Sequence, residues 1–367
     1  MIVHKIRGNF ARGFLGALAA VCAALILLQP QNVAQGVQEG LLLCYNSLIP
    51  SLFPFLILTR ILLDTGACRI LGLPLLPYCR LLGIRNTRAA STVAIGLLGG
   101  FAAAGCGIDA LFRNGVLTAH QSSLLLCVCA VEGPAFFLFA VGATMLGSVR
   151  VGLLLWISVL LASLLCGLVF ARFLPRDNMA NEPEKNTAPP FSYASVLVGS
   201  VSSAVDAMLR ICGFVLLFSL LRGILLSFSL PAGISALLFS LLEVSTGCRT
   251  ACVLGGSRAL VLCLLSMSCL GACGLAQLRA LLSPQIRLTP FLFSRLLHFP
   301  LAVFFFCLLR RLFLSGEMDV FSPLGEDALV LPFQMPREAA FFLFLLLAVF
   351  CSELAGKRSL RRQAKKL

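Results

Sequence analysis

The sequence predicts an all-α polytopic membrane protein, and three observations predict it. Apolar runs of crossing length recur from end to end, charge is scarce, and the positive charge collects between the runs and at the two ends. Of the 367 residues, 59% are hydrophobic and 12% charged, with a mean hydropathy of +0.99. A soluble domain carries about 25% charged residues, so this composition cannot clothe a globule in water. Each bilayer crossing takes roughly 20 apolar residues, and a chain of this length accommodates about eight transmembrane helices.

The apolar runs fall near 13–29, 40–63, 91–107, 121–147, 150–174, 195–229, 232–255, 258–282, 288–314 and 338–355. They divide the chain into a basic segment with a first span (1–37), a first membrane half (38–175), a polar linker (176–192) and a second half (193–314). An acidic loop (315–337) and a last span with a basic tail (338–367) complete it. The first run carries a basic flank and reads either as a cleaved signal peptide or as an uncleaved span. Basic residues at both ends put both termini on the cytoplasmic side of the cell membrane, and the acidic loop outside.

The net charge of +14 would raise nucleic-acid binding in a soluble protein. Here the basic tail, Lys357 to Lys366, has no interleaved aromatic residue, and its partner is the anionic lipid surface instead of nucleic acid. The 16 cysteines lie largely inside apolar runs, where cysteine behaves as a small hydrophobe. Cys248/Cys252 and Cys269/Cys273 share helical faces, yet no His or carboxylate completes a metal set, so neither a metal nor a cofactor is expected. No phosphate loop, nucleophile elbow or zinc motif is present; the chain is read as a non-enzyme with no catalytic residue.

Two runs differ from ordinary spans. Residues 91–107 carry Gly96, Gly99, Gly100, Gly105 and Gly107, each costing a free helix about 1 kcal/mol relative to Ala. Either the glycines let neighbouring backbones approach closely, or the segment is a broken, re-entrant helix whose backbone lines a polar cavity. The run 232–255 contains Glu243, and the run 121–147 is interrupted by Glu132-Gly133-Pro134. An ionisable residue at membrane depth costs about 2.5–3.5 kcal/mol and is a functional hypothesis by default. For Glu243 the competing reading is a carboxylate paired with Arg249 or Arg210, and for Glu132 an interfacial loop residue. Ser266, Ser268 and Gln277 add polar groups to the run 258–282, for a ligand or for helix-to-helix hydrogen bonds. His120 and His298, near run ends, read as interfacial. Matched interruptions in the two halves point to an inverted repeat with a binding site between them.

Four stretches carry a family resemblance: Leu48-Ile49-Pro50-Ser51-Leu52-Phe53-Pro54-Phe55, Gly213 to Phe218, Leu242-Glu243-Val244-Ser245-Thr246-Gly247, and Leu270 to Gln277 followed by Ile286-Arg287 and Arg295-Leu296-Leu297-His298. In their order and spacing the chain, from about residue 38 to 312, resembles the YlbJ-like sporulation integral membrane proteins. These contain the Gate (nucleoside-recognition) domain also found in nucleoside and ferrous-iron transporters. The resemblance implies a two-repeat membrane fold with gate-like hairpins and a role in endospore formation. The expected function is a transporter or permease-like protein for a small polar, nucleoside-like solute. The alternative is a non-transporting scaffold that gathers other sporulation membrane proteins. The expected solute-binding residues are Gly99, Gly100, Gly105, Glu132, Gly133, Pro134, Glu243, Gly247, Ser268, Gly271 and Gln277.

Overall fold

Helices account for all regular structure among the described residues, which in this computed structural model are 19–173, 193–226 and 230–313, with isolated positions at 13, 16, 17 and 228. The expected linker at 176–192, the acidic loop, the last span and the basic tail lie outside them. Among the described residues five helices are long and apolar enough to cross a membrane: Thr87–Arg113, Val149–Phe173, Tyr193–Leu225, the bipartite Gly256–Leu281, and Thr289–Phe313. A bent pair, Ala19–Leu28 and Pro30–Leu48, meets at 105° and would make a sixth.

In chain order the elements are α1 (Ala19–Leu28), α2 (Pro30–Leu43), α3 (Ile49–Asp64), the short α4 (Cys68–Gly72) and α5 (Leu76–Leu81), then α6 (Thr87–Arg113), α7 (Ala119–Cys129) and a π-type helix at Phe136–Met145. After α8 (Val149–Phe173) come α9 (Tyr193–Leu226), α10 (Ala232–Leu242), α11 (Val244–Leu254), α12 (Gly256–Cys269), α13 (Gly271–Leu281) and α14 (Thr289–Phe313). Local chemistry sets several starts. Asn86 caps α6, its Oδ1 accepting from Arg88 N at 2.7 Å. Thr118 and Gln121 close a reciprocal capping box on α7.

α14 is inside-out relative to a helix of a soluble protein. On α14 the buried face is Phe291, Ser294, Arg295, His298, Ala302 and Phe306, whereas Phe293, Leu296, Phe304 and Leu312 point outward and are exposed. On this helix polar groups face the bundle and large apolar side chains face its surroundings, the arrangement a lipid solvent selects. In lipid, helices gain little from burying Leu against Leu, so close contact between small residues takes over. At the α2–α9 crossing a Cβ added to Gly36 would sit 2.6 Å from the Ser219 carbonyl oxygen, and one added to Gly40 2.8 Å from Ser219 Cβ. Gly223 meets Gly36 and Asn32 across the same seam. An ion pair between Glu39 on α2 and Arg222 on α9 lies on this side of the bundle. Arg222 also stands over the Phe239 ring of α10, and Arg249 of α11 donates to the Glu39 carbonyl at 3.2 Å.

α8 and α14 pack side by side. His298 Nε2 lies 2.9 Å from Ser163 Oγ and 3.2 Å from the Val159 carbonyl. His298 is fully buried, which corrects its reading as interfacial; two α8 groups, the Ser163 hydroxyl and the Val159 carbonyl, decide its place. His120 is exposed at the start of α7. Asp109, near the end of α6, accepts from Ser283 N at 2.6 Å and pairs with Arg113 at 2.6 Å, tying α6 to the turn after α13.

Candidate functional site

Four helix breaks, two in each half, carry or adjoin most of the residues expected to bind a solute. α6 breaks at Gly100, whose φ of 84° and ψ of 178° are open only to glycine. The segment from α7 to the π-type helix breaks at Ala130–Pro134, where Gly133 passes close to another backbone and Pro134 has no N–H to continue the ladder. α10 gives way to α11 at Glu243, an extended residue with φ −149° and ψ 129°. α12 gives way to α13 at Leu270, in left-handed conformation with φ 64°, followed by Gly271 at φ 60°.

Within each half the two breaks touch. A Cβ on Gly100 would lie 3.1 Å from Gly133 N, and one on Gly133 2.9 Å from the Leu98 carbonyl oxygen. In the second half, a Cβ on Gly271 would lie 2.9 Å from the Leu242 carbonyl oxygen and 3.2 Å from Glu243 N. Glycine at these places is a requirement of backbone-to-backbone approach. The halves also meet: α13 packs on α6, and α11 packs on the π-type helix.

The two carboxylates differ in what they do. Glu243 is buried and serves as the N-cap of α11, its Oε1 accepting from Ser245 N at 2.8 Å and Oε2 from Thr246 N at 2.6 Å. A carboxylate there also faces the positive end of the α11 dipole. Backbone N–H groups satisfy it, and Arg249 of the same helix donates instead to the Glu39 backbone carbonyl. Glu132 sits just before the π-type helix and within electrostatic range of Glu243. It lies deep in the bundle, and Val131, Gly133 and Ala135 around it are buried. Glu132 itself is only half-buried, and among the described residues no group hydrogen-bonds its carboxyl. Its carboxyl thus keeps accessible surface and has no protein partner among the described residues. Further polar atoms near the second-half breaks are buried without a partner: the hydroxyls of Ser240, Thr246 and Ser268. Buried hydroxyls seldom stay unpaired, so each is a place for water or a ligand atom.

The remaining expected residues divide. Gly99 closes on Thr59 of α3, where an added Cβ would be 2.6 Å from Thr59 Cγ2. Gly105 serves the α6–α13 crossing against Leu278, and Gly247 the contact of α11 with Ser240 and Ser266. Gln277 donates to Cys273 Sγ at 3.1 Å within its own helix. Gly105, Gly247 and Gln277 are packing or helix-internal, away from the break tips. Among the described residues no group of His, Cys, Asp or Glu is arranged to hold a metal ion.

Arg295 was singled out only through the resemblance, and its environment is the least expected part of the site. It is buried on α14, with the Phe291 ring 4.4 Å from the guanidinium. Nη2 donates to the Cys127 carbonyl at 2.7 Å and to Ser294 Oγ at 3.1 Å, and Nη1 reaches the Ser268 carbonyl at 3.5 Å. A charged residue at that position in an otherwise apolar run was the available signal, together with Ser294 and His298 on the same face.

No family model matches the chain, and no solved structure matches it. A curated relative, the sporulation integral membrane protein YlbJ of Bacillus subtilis (strain 168), is 25% identical over 329 residues, covering 78% of this chain and 80% of the relative. That likeness spans both halves and the helices that carry all four breaks, and with its candidate spans the chain is a multi-pass integral membrane protein similar to this relative.

Proposed function

We propose that the chain is a sporulation-associated transporter or permease-like protein that holds a small polar solute, nucleoside-like in its array of hydrogen-bonding groups, where the helix breaks converge. The observation that carries this reading is Glu132: an ionisable group deep in a membrane bundle, half-buried and unpartnered among the described residues. A structural carboxylate would be satisfied, as Glu243 is; one left open has a ligand to meet. The unpaired hydroxyls of Ser240, Thr246 and Ser268 supply donors and acceptors of the kind a polyhydroxylated solute needs. The order of broken segment, broken segment and long helix occurs in both halves, α6 to α8 and α10 to α14, which supports two gate-like repeats. The role in sporulation rests on the name of the relative. No enzymatic step is assigned.

The test is solute-dependent thermal stabilisation of the purified protein against nucleosides, other small polar metabolites and common ions. A ligand at about 100 times its Kd stabilises the folded state by about 2.7 kcal/mol. The expected result is a concentration-dependent rise in Tm that Glu132→Gln removes. No shift across the library at millimolar concentration would sink the transport reading and leave a scaffold role to be tested by partner capture.

A further inference from the structure

We propose that Arg295 is a shared electrostatic bracket that holds one break from each half of the protein in register, so that the two breaks loosen or tighten together. Its two carbonyl partners are not ordinary helix-interior oxygens. Cys127 lies in the last turn of α7, which ends at Cys129, and Ser268 in the last turn of α12, which ends at Cys269. The last four carbonyls of a helix have no intrahelical donor, and in a bilayer no water replaces one. One guanidinium therefore serves orphan acceptors at corresponding places in the two halves, immediately before the breaks at 130–134 and 270.

The same geometry explains how a cation survives there. Arginine cannot shed its proton, and among the described residues no carboxylate contacts Arg295. A helix C-terminus carries about −0.5 of an elementary charge, and two of them facing one guanidinium supply about −1. The charge is matched only while both helix ends are in place. If the end of α7 withdrew, the α12 end alone would leave Arg295 under-compensated in a medium of low dielectric, which favours release of both ends or of neither. The planar fork makes this a task for arginine: two donors diverge from one rigid group, whereas a lysine ammonium is a point charge. Ser294 Oγ accepts from both Nε and Nη2, fixing the plane of the fork, and Phe291 covers one face.

The inference is independent of any solute and its test needs none. Amide hydrogen exchange of the purified full-length protein would be followed for peptides across 127–136 and 268–274. Peptides across the α2–α9 crossing, 33–40 and 216–223, are the control. In Arg295→Lys both break peptides are expected to exchange faster, by about tenfold or more and to a similar extent, with the control unchanged. Ser294→Ala keeps the charge and removes only the hydroxyl that steers it; it should loosen the same two peptides to a smaller degree, and it serves if Arg295→Lys does not fold. Faster exchange at one break alone, or a uniform rise that includes the control, would overturn the bracket. The outcome of solute binding does not bear on this result, so the two ideas fail separately.

Discussion

The first-half and second-half break pairs share a plan and differ in how each is held. In the first, glycines do the work: Gly100 takes a conformation closed to other residues, Gly133 lets the backbones touch, and the nearby carboxylate of Glu132 is left open. In the second, the carboxylate is consumed in the structure, with Glu243 capping α11, and the other break turns on Leu270, a buried non-glycine residue in left-handed conformation. Such a residue costs on the order of 1–3 kcal/mol and persists only where its surroundings over-determine it. The difference teaches that two carboxylates at similar depth need not share a role. One is spent on holding backbone, and the other has no partner among the described residues.

Substitutions can break this contrast, and the largest effect is expected at Glu243. Glu243→Ala strands two buried N–H groups and removes a charge-assisted cap, costing about 3 kcal/mol; a clear drop in Tm without any ligand would be seen. If Glu243→Ala melts like the parent, the capping role is wrong. Next comes Gly100→Ala, which forces a side chain into the glycine-only region and against Gly133 N, at a cost of about 2 kcal/mol. Because Gly100 and Gly133 touch, the double variant Gly100→Ala/Gly133→Ala should lose less than the two single losses combined. A chemical-denaturation cycle reads the coupling, and strict additivity would mean that the two breaks do not share one contact. The smallest effect on stability is expected from Glu132→Gln, within about 1 kcal/mol of the parent, because no partner is lost. A large destabilisation by Glu132→Gln would merge the two carboxylates into one structural class and remove the contrast.

Much of the architecture was legible because lipid imposes a coarse rule. Runs of apolar residues with charge at their ends predict spans, and Glu132-Gly133-Pro134 announces a break by removing a donor and adding a flexible link. The Gly-rich run 91–107 was legible as unusual, but not which glycine breaks it. Gly96, Gly99 and Gly105 are equally small, yet they pack against Cys129, Thr59 and Leu278, and only the partner across the gap singles out Gly100. Glu243 was legible as important and not as a cap, since Glu is an uncommon N-cap and its burial suggested an arginine. Arg295 and His298 were hidden by position near the start of a run, where basic residues ordinarily reach the interface. Their depth depends on α7, α8 and α12 packing around them, contacts more than 100 residues away in sequence for Cys127 and Ser163.

The seam between α2 and α9 has a thermodynamic consequence of its own. Gly36, Gly40, Ser219 and Gly223 bring two backbones together, and helices that associate within a bilayer exchange contact with acyl chains, not with water, for contact with each other. Joining them releases almost no hydration water, so the seam is held by dispersion contact instead of solvent entropy. In calorimetry it should separate with a measurable enthalpy and very little change in heat capacity, the opposite of the signature left by a soluble core.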